Sequence, residues 1–293
     1  MNIKSILILL LAWIYFTGCG GKKEQSAISA ENKVTVSKDN STSAEQGGYG
    51  FEAIAEKLGY QTYTFSEKDG NFFGDPKAVK GGILHYIHSL FPRTMRIIGQ
   101  NSNQMINTRI IQALCYESLM GQHPATLEFV PSLATHWMIS EDKLTFKFRI
   151  NPDARWSDGM PVIAADVVAT WDLRMDETIL EPSEQLSFGK FERPVAEGKY
   201  IVSVNAKSIN WRNFLYFSTM AVLPNHILKE LDGTAYLEEY TFSMMTGTGP
   251  YIIPENKIIN QESFILERRE DYWAADDPFV QYQYNFDKIK VSV

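Results

Sequence analysis

A mixed α/β fold is the fold class that this 293-residue sequence predicts, because strand-like and helix-like segments alternate in it without a repeating unit. The clearest strand is LTFKFRI (residues 144–150), in which apolar and polar residues alternate as in a half-buried antiparallel strand. A short polar turn joins it to THWMI (residues 135–139), and this arrangement predicts a β-hairpin. The clearest helix begins at about Ala164 and is predicted to carry Val167, Trp171 and Met175 on one face.

The remaining elements are shorter. Further strands are predicted in ILHYIHS (83–89), KYIVSVNAK (199–207), GTGPYII (247–253), SFILERR (263–269) and DKIKVSV (287–293). A helix is predicted from Gln104 to Met120, since Ile106, Ile110 and Leu114 follow helical spacing and Gly121 comes directly after it. Its apolar surroundings predict that Cys115 is a buried core thiol and not a reactive one.

The N-terminus resembles a lipoprotein signal. Lys4 precedes an apolar run from Ile6 to Phe16, and Thr17-Gly18-Cys19 follows. The run is too short to span a bilayer, and the pattern predicts a secretory signal peptide at residues 1–18. The small residues before Cys19 resemble the bacterial lipobox and predict lipidation of Cys19, although Phe16 stands where Leu is usual. A plain secretory signal with an incidental cysteine is the alternative.

Composition predicts a tether after the anchor. Residues 19–49 are rich in Ser, Lys, Glu, Asn and Gly and show no apolar period, so we expect a disordered, lipid-anchored tether. The sequence has only two cysteines, and a lipidated Cys19 leaves Cys115 without a disulfide partner. The net charge of −7 and the lack of a basic run argue against a nucleic-acid partner.

No catalytic or metal-binding motif is present in the sequence. It contains no GxSxG elbow, no HExxH and no glycine-rich phosphate loop. His85 and His88 lie three apart in a predicted strand, on opposite faces, so a shared metal site is not expected. We therefore predict that the protein is not an enzyme and needs no cofactor or metal.

A series of motifs carries a family resemblance. In chain order they are KGGIL at Lys80, VPSLATHW at Val130, LTFKFRINPDARWSDGMPVIAADVVATWD at Leu144, VLPNHIL at Val222, GTGPY at Gly247 and FILERREDYW at Phe264. In this order they resemble the family 5 extracellular solute-binding proteins, the peptide/nickel group that serves ABC importers. The KGG motif and the C-terminal residues are most similar to the branch that takes up longer peptides.

The resemblance implies a periplasmic-binding-protein-like fold of two lobes with an added subdomain. It places residues 50–128 and 209–293 in the main domain of the first lobe and residues 129–208 in the inserted subdomain. Family members continue beyond the motif that ends this chain, so the chain looks like an N-terminal fragment that contains the first lobe only.

The implied function is capture of peptides in a cleft between the lobes and delivery to the permease and ATPase subunits of an importer. The resemblance points to Ser89, Leu90, Phe91, Thr248 and Gly249 as ligand-binding residues. We expect a monomer that is lipid-anchored in the cell envelope and faces the periplasm or the exterior. Two alternatives remain: a binding protein for another solute, such as an oligosaccharide or a metal chelate, and a surface lipoprotein that acts as an adhesin or sensor without transport.

Overall fold

The structure, a computed structural model, describes residues 38–293. The predicted signal peptide, Cys19 and the tether as far as residue 37 lie outside the described residues. The strands are β1 (Ile83–Ile87), β2 (Met120–Gln122), β3 (Phe129–Pro131), β4 (Ala134–Ile139), β5 (Thr145–Ile150), β6 (Val195–Ala196), β7 (Ile201–Asn205), β8 (Tyr251–Ile252), β9 (Ile258–Ile259), β10 (Ser263–Arg268) and β11 (Lys288–Ser292). The α-helices are α1 (Gly70–Phe73), α2 (Ala113–Cys115), α3 (Ala164–Met175), α4 (Pro182–Phe188), α5 (Asn213–Ser218), α6 (Asn225–Leu228) and α7 (Gly233–Glu239).

A four-stranded antiparallel sheet occupies the middle of the chain. Its strand order is β4-β5-β7-β6, and β4 and β5 form the hairpin that the alternating pattern predicts. Phe146 and Phe148 of β5 are buried in an apolar cluster with Trp156 of the RWSDG turn and Phe217 of α5. Alternation along β5 therefore fixes which face of the sheet meets the helices.

A second sheet pairs the first strand of the chain, β1, with the last, β11. Its order is β1-β11-β10-β8, with β9 also paired to β10, and β1 runs parallel to β11. Phe264, Leu266, Ile289 and Val291 are buried between this sheet and the helices. All five residues of β1 are exposed, so this strand contributes backbone pairing and little apolar burial.

The start of α3 is fixed by one buried carboxylate. Asp166 accepts hydrogen bonds from the backbone N–H of Ile163 at 2.8 Å, the backbone N–H of Asn225 at 2.7 Å and the indole N–H of Trp156 at 3.2 Å. Burial raises the pKa of Asp166 to about 6 against these hydrogen bonds, which lower it. One side chain thus ties the RWSDG turn, the first turn of α3 and the start of α6 together.

Residues 38–49, predicted as the end of a disordered tether, are ordered. Gly47 and Gly48 are buried, and their carbonyl oxygens accept hydrogen bonds from the Arg149 guanidinium at 2.8 and 3.1 Å. The carboxylate of Asp39 binds the Lys199 ammonium at 2.5 Å. The tether prediction was wrong for these residues because hydrogen bonds to distant side chains order them, and polar composition does not reveal such bonds.

The predicted helix from Gln104 to Met120 is shorter than expected. The chain forms a π-helical segment at Asn107–Gln112 and continues into α2, which ends at Cys115. Tyr116 is already extended, and the strand β2 begins at Met120. Cys115 itself is fully buried, as its apolar surroundings predict, and burial raises the pKa of its thiol.

The predicted domain boundaries stay a prediction. The described residues belong to one compact unit. Within it, one apolar cluster draws its buried members from residues 119–222 and another mostly from residues 95–116 and 221–291. Among residues 38–293, no helix is both long enough and apolar enough to cross a membrane.

Arg149 gives a test of the ordered N-terminal segment. Replacing Arg149 with Met leaves the Gly47 and Gly48 carbonyls buried without their donor, so we expect the free energy of unfolding to fall by roughly 3 kcal/mol. Hydrogen exchange should show lost amide protection at residues 44–54. The control is Arg193→Met, which removes an exposed guanidinium paired with Asp172 and should change stability by less than about 1 kcal/mol. Equal protection in both variants would contradict the role of Arg149.

Candidate functional site

The loop after β1 presents two of the predicted ligand-binding residues to solvent. Ser89 is exposed, and the side chain of Leu90 is 67% exposed. Phe91 is half-buried and fixes the loop, since its ring packs against Phe264 at 6.1 Å and Phe242 at 6.4 Å between centroids. The His88 imidazole lies 2.8 Å from the Leu90 carbonyl oxygen and holds the turn. The loop is therefore an ordered surface.

A second loop lies beside the first. The backbone N–H of Met95 donates to the Thr241 carbonyl at 2.8 Å, and Phe242 carries the ring that meets Phe91. The Arg93 N–H donates to the Gln104 side-chain oxygen at 2.8 Å. We call residues 89–93, 104–105 and 241–246 the exposed wall; residues 94–99 between them are buried.

Arg96 places a buried positive charge behind this wall. The residue is 6% exposed, and its guanidinium donates to the carbonyls of Leu237 and Gln100 at 2.5 and 2.9 Å and to the Thr241 hydroxyl at 2.8 Å. Burial lowers the pKa of Arg96. These acceptors are all neutral, and no carboxylate lies within 4.0 Å among the described residues. Two of these bonds place the guanidinium at the C-terminal end of α7, where carbonyl groups lack helical donors.

Apolar side chains stand on the same wall. Leu90 and Met105 are each 67% exposed, and Phe242 is 37% exposed. Isolated exposed apolar residues are ordinary, but these three belong to two loops that hydrogen bonds hold together. The wall thus offers apolar contact, and the buried Arg96 guanidinium lies against its Thr241 side chain.

Thr248 and Gly249, the other predicted ligand-binding residues, lie inside the protein. Both are buried, and the Thr248 hydroxyl accepts the backbone N–H of Glu117 at 2.9 Å. The Gly249 N–H donates to the Cys115 carbonyl at 3.0 Å. A Cβ on Gly249 would lie 2.6 Å from the Leu114 carbonyl oxygen, and one on Gly247 would lie 2.1 Å from that of Cys115. Gly247 and Gly249 thus let the end of α2 pack directly against this turn. The structure does not bring Thr248 and Gly249 to the surface beside Ser89 and Leu90.

Arg269 gathers the carbonyl groups of this turn. Its guanidinium donates to the carbonyl oxygens of Gly247, Thr248 and Gly249 at 3.2–3.3 Å and to that of Trp156 at 3.4 Å. The residue is 6% exposed and pairs at 3.0 Å with the carboxylate of Asp271. The guanidinium has five N–H groups for six acceptors, so the terminal nitrogen that faces the three turn carbonyls shares its two N–H groups among them. The GTGPY turn is therefore held from inside the fold, and it directly follows Thr246, the last residue of the exposed wall.

Glu117 completes this contact. Its carboxyl group accepts hydrogen bonds from the Tyr272 hydroxyl at 2.6 Å and the Trp273 indole at 2.8 Å. Burial raises the pKa of Glu117 to about 7, whereas these hydrogen bonds and the positive charge of Arg269 lower it. A carboxyl group with such a pKa is a candidate for proton chemistry, but here both oxygens serve structural donors.

A cavity of about 320 Å³ adjoins Glu117. Its lining includes Gln112, Tyr116, Phe279 and Gln283, and it contains none of the five predicted ligand-binding residues. Across the part of the chain that the structure describes, no group of three or more His, Cys, Asp or Glu residues is arranged to hold a metal ion.

A sequence comparison gives the class of this protein, that of the extracellular solute-binding proteins. A sequence profile described as bacterial extracellular solute-binding proteins, family 5 Middle, matches residues 128–293. The chain therefore belongs to family 5 of these proteins, and the resemblance drawn from the motifs is confirmed.

Two curated relatives show how much of a full-length protein this chain represents. A protein of Brucella melitensis biotype 1 named as a binding protein is 27% identical over 215 residues, which are 72% of this chain and 33% of that protein. Peptidoglycan-binding protein YepA of Agrobacterium fabrum is 29% identical over 183 residues, 61% of this chain and 28% of that protein. The chain thus spans about a third of the length of the curated relatives it matches.

Solved structures share the fold. The oligopeptide-binding protein AppA of Bacillus subtilis, in complex with a nonapeptide, superimposes with a TM-score of 0.60 at 20% identity over 74% of this chain and 41% of AppA. NikA of Brucella suis, in complex with Fe(III)-EDTA, gives a TM-score of 0.56 at 19% identity over 72% of this chain and 39% of NikA. The predicted mixed α/β fold of a periplasmic binding protein is confirmed.

Sequence reasoning missed Arg96, Glu117 and Arg269. Glu117 follows an apolar helix in CYESL, and Arg269 lies among four charged neighbours in LERRED. The position of Glu117 next to an apolar helix end could have predicted a buried carboxylate with internal hydrogen-bond donors, since a buried carboxylate needs such partners. The charged run around Arg269 gives no comparable signal, because it looks like a solvated turn.

Glu117 predicts a pH dependence of stability. The folded pKa of about 7 lies above the unfolded value of 4.5, so the folded state binds more protons between these values. The free energy of unfolding should therefore fall as pH rises from about 4.5 to about 7, by up to about 3 kcal/mol from this group. Glu117→Gln should flatten this part of the curve and make the protein more stable than the parent at pH 8. Asp166 adds a slope of the same sign between about pH 3.8 and about pH 6, which remains in the Glu117→Gln variant.

Urea unfolding measured across this pH range tests the prediction. The matched control is Glu238→Gln, which changes an exposed glutamate on α7 and should keep the slope of the parent. A Glu117→Gln variant with the parent slope would contradict the assignment.

Proposed function

We propose that this chain forms the ligand-capturing first lobe of a lipid-anchored peptide-binding protein that serves an ABC importer. Membership of family 5 over residues 128–293 is the observation that carries the proposal. The exposed wall is the surface that would face the ligand. Delivery to permease and ATPase subunits, the second lobe and the monomeric state belong to the same proposal.

The wall suits what different peptides have in common. Every peptide offers backbone amide groups and a carboxylate, so a protein that accepts many sequences gains by binding these groups. Ser89 and Leu90 stand free for backbone and side-chain contact, and Phe91 positions them. The Arg96 guanidinium has neutral partners only and would favour a ligand carboxylate through the wall. We assign Thr248 and Gly249 an indirect role, in which they support the wall from behind.

Another solute is the second candidate. Relatives include a periplasmic alpha-galactoside-binding protein of Rhizobium meliloti and NikA with its iron chelate, and a buried cation would attract a carboxylated chelate as well as a peptide. An adhesin or sensor without transport is the third. A gene neighbourhood with two permeases and two ATPases would favour transport over the last alternative.

Ligand identity is tested by native mass spectrometry of the full-length protein, purified without refolding. We expect co-purified peptides, and Leu90→Ser should weaken peptide binding about fivefold, since about 1 kcal/mol of apolar contact is lost. Leu58→Ser is the control, because Leu58 is also exposed, at 48%, and lies outside the wall. Sugars or chelates in place of peptides would overturn the peptide assignment, and equal binding by both variants would overturn the wall.

The lipid anchor is tested separately. Cys19→Ser should abolish incorporation of labelled fatty acid and release the protein from membranes, because the acylated sulfur is the proposed attachment point. Cys115→Ser is the matched control and should keep both the label and the membrane association, since Cys115 is buried in the core. A labelled Cys19→Ser variant would contradict the proposal.

A further inference from the structure

The loop between β7 and α5 presents large apolar side chains to solvent. Residues 207–212, which we call the tip, are all exposed and read Lys-Ser-Ile-Asn-Trp-Arg. Ile209 is 72% exposed and Trp211 is 78% exposed, and Tyr216 beside them on α5 is 39% exposed. Trp156 is fully buried and packs in the core. Among the described residues, Trp211 has no such packing partner in the core, so its exposure needs another explanation.

The tip is held in one conformation. The buried side chain of Asn213 donates to the Ser208 carbonyl at 2.8 Å, and the Arg212 N–H donates to the Asn210 side-chain oxygen at 2.9 Å. The Lys207 N–H donates to the Lys190 carbonyl at 2.8 Å. Because these bonds fix the backbone, Ile209 and Trp211 project outward from a rigid base, and little further ordering is needed on binding.

Positive charge surrounds these apolar side chains. Arg212 lies over the Trp211 ring at 4.7 Å from the centroid, and Lys190 lies over the Tyr216 ring at 5.4 Å. Lys207 joins them through its backbone bond to Lys190. No Asp or Glu occurs between Glu197 and Glu230, although the whole chain carries a net charge of −7. The nearby acidic residues are Glu192, whose N–H donates to the Asn205 carbonyl, and Glu141 and Asp142 of the turn before Leu144, whose carbonyl accepts the Ala206 N–H. Among the described residues, none of them forms an ion pair with Lys190, Lys207 or Arg212, so these three cations are free to meet another anion.

We propose that the tip is a second membrane contact, at which Ile209 and Trp211 enter the interface of an anionic phospholipid bilayer and Lys190, Lys207 and Arg212 bind its headgroups. Tryptophan favours the boundary between headgroups and acyl chains, and lysine and arginine near an anionic leaflet add electrostatic attraction. An apolar side chain ringed by cations matches both requirements. Stacking on a sugar fits less well, because the Arg212 guanidinium already lies over the Trp211 ring.

The proposed anchor at Cys19 does not prevent this contact. The chain from Cys19 to Lys38 can reach at most about 60 Å at about 3.3 Å per residue. Asp39 binds Lys199 just before β7, and the tip follows the other end of this five-residue strand, about 17 Å away. A lipid at Cys19 and the tip can thus meet one bilayer, and the second contact would fix how the protein faces it. The tip proposal does not depend on which solute the protein binds.

The test uses the full chain with Cys19→Ser in every sample, so that an N-terminal lipid cannot hold it on vesicles. Vesicles of phosphatidylglycerol and phosphatidylethanolamine carry brominated acyl chains, which quench tryptophans at the depth of the interface. Trp211→Phe keeps an aromatic side chain and removes the indole, so the difference between parent and variant isolates Trp211 from Trp13 in the predicted signal. We expect quenching of Trp211 on anionic vesicles and little on phosphatidylcholine vesicles.

A charge variant gives an independent measure. Lys207→Gln combined with Arg212→Gln should weaken sedimentation with anionic vesicles about 30-fold. Lys229→Gln, which changes a 58% exposed lysine elsewhere, should have no comparable effect. Thermal unfolding should be the same in all variants, because the changed side chains are exposed. Equal quenching in the parent and Trp211→Phe, or equal sedimentation of the two charge variants, would overturn the proposal.

Discussion

The contact between the end of α2 and the GTGPY turn is the constraint on which the rest of the structure depends. The turn approaches so closely that Gly247 and Gly249 have no room for a Cβ, and its three carbonyl groups converge on one guanidinium, that of Arg269. Carbonyl groups buried in this way would be costly without a donor. Arg269 is the donor to the Thr248 and Gly249 carbonyls, and it shares the Gly247 carbonyl with the Ser157 N–H, so these two donors hold the turn where it lies.

Because of this contact, motifs far apart in sequence act as one unit. Ser157 of the RWSDG turn donates its N–H to the Gly247 carbonyl at 2.8 Å, and its hydroxyl lies 2.6 Å from that of Thr246. Trp156 shares Arg269 with the same turn, and Tyr272 and Trp273 reach it through Glu117. Thr246 is also the last residue of the exposed wall, so the wall takes its position from a buried polar network.

The sequence predicted those parts of the fold that rest on local periodicity. Alternation located β5 and β7, short strand-like segments located β10 and β11, and helical spacing located α3. It failed where a distant group decides the local structure. The helical spacing of apolar residues predicts that the helix continues to Met120. In the structure, the Cys115 carbonyl accepts a hydrogen bond from the N–H of Gly249, which is 134 positions away in the sequence, and the chain becomes extended at the next residue. In the same way, a sequence does not show whether a glycine makes room for a ligand or for the end of a helix. The burial of Thr248 and Gly249 could therefore not be predicted.

The burial of a cation determines the kind of partner it suits, and this separates the two proposed surfaces. Arg96 is buried, so solvent and salt screen its field weakly, and one carboxylate close to it would gain more than it would from an exposed cation. Lys207 and Arg212 are exposed, where salt screens each charge beyond about 8 Å. Screened charges gain little from one distant anion but add up against a continuous layer of them. One buried guanidinium at the wall and several exposed cations at the tip therefore suit a discrete ligand and a bilayer surface respectively.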